Sequence, residues 1–133
     1  MRSFLFFILS VIALTGFSYS DINKLPPILE PSDSQRKEYD LPPRFFKKSL
    51  LVQDILIATS DKVSDLAVNE SAYLFDQMMK DINPDVADRI RSRKVLCILV
   101  GKDELTSQIP QFVSDKTGKD LDLSNWRQRG FLR

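Results

Sequence analysis

The residues best suited to chemistry stand just after an apolar run, in Gly101-Lys102-Asp103-Glu104. A strand's C-terminal end is where α/β folds place their sites. Asp103 and Glu104 could there act as paired carboxylates for a hard cation or for acid/base work. Neighbouring residues at one strand end diverge, however, so the simpler expectation is a turn with a helix cap. One glycine makes no phosphate loop, since neither GxGxxG nor GxxxxGK[ST] occurs. Asp120-Leu121-Asp122 alternates acids without the further ligands of a calcium loop.

The composition removes other chemistries. The chain holds no histidine, which excludes Ser-His-Asp and Cys-His systems and the commonest zinc ligand. The single cysteine, Cys97, allows no internal disulfide, and its place inside Val95-Leu96-Cys97-Ile98-Leu99-Val100 suits a small buried hydrophobe. No catalytic, cofactor-binding or metal-binding residue is therefore assigned, and no cofactor is expected. Asn69-Glu70-Ser71 fits the N-glycosylation rule, with Asn69 as the acceptor in a host that glycosylates.

The N-terminus explains where such a chain would go. Arg2 precedes the uncharged run Phe4 to Phe17, which ends in Ser18-Tyr19-Ser20. A charged start, a short apolar segment and small residues before Asp21 predict a secretory signal peptide, cut between Ser20 and Asp21. A transmembrane anchor is the alternative, but that run is short of the about 20 apolar residues a span requires. The expected location is extracellular, with no membrane attachment after cleavage. Removing Arg2 takes the 19 basic residues to 18, equal to the 18 acidic ones. A neutral chain is not built to bind nucleic acid through phosphate charge.

Three regions are expected: a signal peptide over 1–20, a Pro-rich extended segment over 21–53, and a small α/β domain over 54–133. The middle region carries Pro26, Pro27, Pro31, Pro42 and Pro43, five of the seven prolines. Proline fixes φ and removes donors, so this stretch reads as extended and largely mobile. Lys47-Lys48 is either a dibasic processing site or a linker end with two exposed lysines. Order is expected from Gln53 onward.

Asp54 to Thr59 reads as a buried strand, and Ser64 or Asp65 as the N-cap of a long helix. Leu66, Ala67, Ser71, Leu74, Phe75, Met78, Met79 and Ile82 fall at helical spacing and predict its apolar stripe. Asn83-Pro84 stops that helix and starts a short second one over 85–93, with Val86 and Ile90 inward. Val95–Val100 is the second strand. The order implies a βαβ unit with a parallel strand pair and a right-handed crossover. Beyond it, Thr106–Val113 reads as an extended segment, Lys116–Asp120 as a turn, and Trp126 as a ring packed on the domain. About 80 ordered residues without a disulfide make a marginal core. A partner surface, a homodimer or missing sequence would each supply the remainder.

Val63-Ser64-Asp65, Asn83-Pro84-Asp85-Val86, Gly101 to Thr106 with Ile109-Pro110, and Asn125 to Gly130 run in a recognisable order. Over residues 54–130 the chain resembles the N-terminal part of a family of secreted proteins similar to gluzincin-type zinc metallopeptidases. In that family the His-Glu-x-x-His helix follows the Trp…Arg-Gly segment, and Phe131-Leu132 stand where a small residue or glycine is usual. The resemblance thus carries no catalytic or metal residue onto any position here, and implies a non-catalytic leading domain. The expectation from the residues themselves is a secreted, non-enzymatic protein with an extracellular protein or matrix partner.

Overall fold

The computed structural model describes residues 24–112 and 114–133; the predicted signal and its Ser20/Asp21 cut lie outside them. The chain is α/β, with four strands in the order β1-β2-β3-β4. β1 (Lys48–Val52) pairs antiparallel with β2 (Ile55–Thr59), β2 pairs parallel with β3 (Leu96–Leu99), and β3 pairs antiparallel with β4 (Gly130–Leu132). The expected parallel pair is present.

The β1–β2 turn is two residues long, and both Gln53 (φ 51°) and Asp54 (φ 61°) are left-handed. That pair of positive φ values matches the right-handed twist of a two-residue hairpin, at some strain for two non-glycine residues.

Between the parallel strands run two helices, α2 (Asp65–Asp81) and α3 (Pro84–Ser92). Ser64 caps α2 by accepting from the Ala67 N–H, and Asn83 caps α3 by accepting from the Asp85 N–H. Pro84 takes the first helical position, where its missing N–H costs nothing. These ends agree with the sequence reading. The inward face agrees in part. Ala67, Phe75, Met79 and Ile82 of the expected stripe pack into the core beside Val68 and Ala72, while Leu66, Leu74 and Met78 are exposed. On α3 Ala87 is buried and Ile90 packs inward as expected, while Val86 is exposed. The buried centre of these faces is small, at Val68, Ala72 and Ala87, and is flanked by the larger Phe75, Met79, Ile82 and Ile90.

The sheet alternates faces with period two. Leu50, Val52, Ile55, Ile57 and Cys97 meet α2 and α3 on one side. Leu56, Ala58, Leu96 and Ile98 face the other side. All five residues of β2 are buried, so that second face also needs a cover. Leu41 (2% exposed) and Phe46 (0%) provide it, with Ile109.

This changes the reading of the Pro-rich segment. It runs extended at its start, where Leu29 bridges Ser49 on the outer edge of β1. It then forms α1 (Asp33–Tyr39), with a Ser32/Gln35 capping box, and afterwards β1, so order precedes Gln53. α1 fits between Pro31 and Pro42. The largely buried Arg36 secures the loop after it, bonding the Leu41 and Phe46 carbonyls and Glu30. Lys47 is exposed, but Lys48 lies in β1 and bonds the Val63 carbonyl and Asp65 at 2.9 and 2.7 Å.

The second half also departs from expectation. Thr106–Gln108 is a 3-10 turn rather than an extended segment, and of the expected turn Lys116–Asp120 the last three residues already belong to α4 (Gly118–Arg127). No helix among the described residues is long and apolar enough to cross a membrane.

Candidate functional site

The loop after β3 is closed by its own polar groups. Glu104 is buried, and its Oε2 accepts from the Gly101 N–H at 2.8 Å. A Cβ at position 101 would meet that oxygen at 2.6 Å and Lys62 Cβ at 3.1 Å, which accounts for the glycine. Asp103 is exposed, so the two carboxylates do not share a site. The turn reading, not the paired-carboxylate reading, describes this loop. Arg129 fastens it from the far side, donating to the Gly101, Glu104, Asn125 and Trp126 carbonyls at 2.8–3.4 Å. Thr106 donates to the Gln128 carbonyl, and Asn125 accepts from the Ser107 N–H. Together these bonds tie the loop, α4 and β4 into one unit.

Cys97 is buried as expected, and burial pushes its thiol up to about 11. The thiolate needed for nucleophilic attack is thereby disfavoured. Met79 is core filling, whereas Met78 faces outward. Asn69 lies in the first turns of α2 and is half-buried. Asp120 and Asp122 fall in the first turns of α4. No group of three or more candidate metal ligands converges among the described residues.

A polar cleft of about 340 Å³ opens beside the β1–β2 turn. Gln53 spans it, donating to Asp76 at 2.8 Å and accepting from Arg91 at 2.8 Å, while Lys80 pairs with Asp76. Burial would raise the Asp76 carboxyl, but the bonds from Lys80 and Gln53 outweigh it and hold the group below its ordinary value. This network anchors the strained turn to α2 and α3.

The other conspicuous surface is apolar. Trp126 is 75% exposed, against the expectation that its ring packs on the domain. Leu123 (51%) and Leu132 (61%), which line hollows that Trp126 does not, are also exposed. α4 is attached mainly through its end, by the Asn125 and Arg129 bonds, and its flank is left uncovered. Two hollows adjoin there, sharing Gln128 as a wall: one of about 300 Å³ against α4 and one of about 320 Å³ against β4. The sequence reading missed this surface. Its signal was a C-terminal run from Leu123 to Arg133 with Arg127, Arg129 and Arg133 but no carboxylate side chain.

No protein-family model, curated protein or solved structure matches the chain.

Proposed function

We propose that the protein is an exported domain that works by binding and not by catalysis. The observation that carries the reading is how the polar groups at the end of the parallel pair are used. Glu104 and Arg129 are spent on backbone partners within the loop and α4, leaving little at that end to act on a substrate. Meanwhile Leu123, Trp126 and Leu132 remain uncovered, as binding surfaces require. The signal-like N-terminus and the balanced charge support export to a partner that is a protein or matrix component, with Asn69 as a glycan acceptor. Homodimerisation is one way to cover the same residues.

A second reading is a leading or regulatory domain of a secreted zinc-metallopeptidase-like protein. It is supported by the motif order over 54–130 and by Trp126, an anchor that a catalytic domain could cover.

The test is a turnover assay with peptide, ester and glycoside substrates on the purified chain and on its D103A and E104Q variants. No turnover sensitive to either substitution is expected. Hydrolysis that either variant abolishes overturns the binding reading.

A further inference from the structure

We propose that β4 is a docking edge for an extended peptide segment of another protein, one carrying apolar and acidic side chains. The two sheet edges are treated differently. The outer edge of β1 is covered by Leu29, whose N–H and carbonyl bond Ser49 at 2.9 and 2.6 Å. β4 is the outer strand at the opposite end. Arg133 and Leu96 exchange both their backbone bonds, at 2.8 and 2.9 Å. Antiparallel alternation then directs the N–H and C=O of Gly130 and Leu132 away from β3. Outside the strand ladder, no backbone hydrogen bond joins them to a described residue. An added strand would complete that ladder.

The walls beside this edge define the occupant. Phe112, Phe131 and Leu132 supply the apolar surface of the hollow against β4, and Leu123 that of its neighbour. Lys116, Arg127 and Arg133 line the same pair of hollows, and no carboxylate side chain does. None of these three cations forms a salt bridge with a described residue. Charge complementarity therefore selects an acidic segment over a basic one.

Gln111 adds an independent sign. It lines the hollow against β4 and is 5% exposed. Its Nε2 donates to the Asp40 carbonyl, which fixes the amide's orientation, since turning it over would set two acceptors face to face. Its Oε1 is left without a partner among the described residues. A buried acceptor in that state favours whatever brings it a donor.

This inference rests on reading the chain as a binding domain, and its test can fail without that reading failing. The probe is a labelled valine-rich nonapeptide with three glutamates, capped at both ends, compared by fluorescence anisotropy with the same peptide carrying three lysines. The glutamate peptide is expected to bind at least about tenfold more tightly, a preference lost in the R127E/R133E variant. Methylating its alternate amides removes donors without touching the protein, and is expected to abolish binding. Hydrogen exchange at Gly130 and Leu132 should slow in the complex. Equal affinity for the two peptides, or tight binding of the methylated one, overturns the inference while leaving the non-catalytic reading intact. Slowing at Gly130 and Leu132 that rises with protein concentration alone also overturns it, making a second copy the occupant.

Discussion

Glu104 and Asp103 are adjacent carboxylates with opposite fates. Glu104 is turned inward onto the Gly101 N–H, while Asp103 stays in water. Glu104→Ala leaves a buried N–H unsatisfied and is expected to cost about 1–3 kcal/mol in urea unfolding. Asp103→Ala should stay within about 0.5 kcal/mol. Equal effects of the two would mean that the loop is not held as described. Asp76 makes a related prediction through pH. Its carboxyl is held below the ordinary value, so the stability it contributes is present above that value and lost as pH falls through the folded-state one. The wild-type urea midpoint should therefore drop below about pH 4 more steeply than that of Asp76→Asn. Parallel pH profiles would remove Asp76 from the account. The turn at Glu104 was legible because adjacent strand-end residues diverge. The Gln53 bridge to Asp76 and Arg91 was not, since it joins residues far apart in sequence through a left-handed turn.

At the scale of elements, the caps and breaks of α2 and α3 follow from local chemistry. Ser64, Asn83 and Pro84 each act on their own neighbours. Which face of α2 turns inward is a tertiary matter. Ala67, Phe75, Met79 and Ile82 of the expected stripe turn inward, but Leu66, Leu74 and Met78 share its spacing and are exposed, a difference that spacing alone cannot set. Met79→Ala is expected to cost about 2–5 kcal/mol, and Met78→Ala within about 0.5. The reverse order would place the other face against the sheet. α1 was hidden because a seven-residue helix between two prolines gives no periodic signal. Leu41 and the Phe45-Phe46 pair stand in a short stretch of prolines and basic residues without apolar periodicity, so nothing local marks Leu41 and Phe46 as the cover of a second face. β4 has three residues, too few for alternation to register.

Among the described residues the molecule is a sheet covered on both faces, with β4 as the outer strand at one edge. A strand buried on both sides, β2, requires two covers, and the chain supplies one from the crossover helices and one from its Pro-rich leading part. That leaves α4 and β4 with exposed apolar residues, and with Lys116, Arg127 and Arg133 in no salt bridge among the described residues. The α/β class and the parallel pair could be read from residues 54–100. The proposed docking edge could not, because it is assembled from a loop, a helix flank and a short strand. The most direct test of an exported binding domain is the intact mass, with mapping of both ends, of the chain recovered from the medium of cells that express it. A mature N-terminus at Asp21, with or without a glycan increment on Asn69, is the expected result. A chain that retains Met1 and stays with the cells would contradict it.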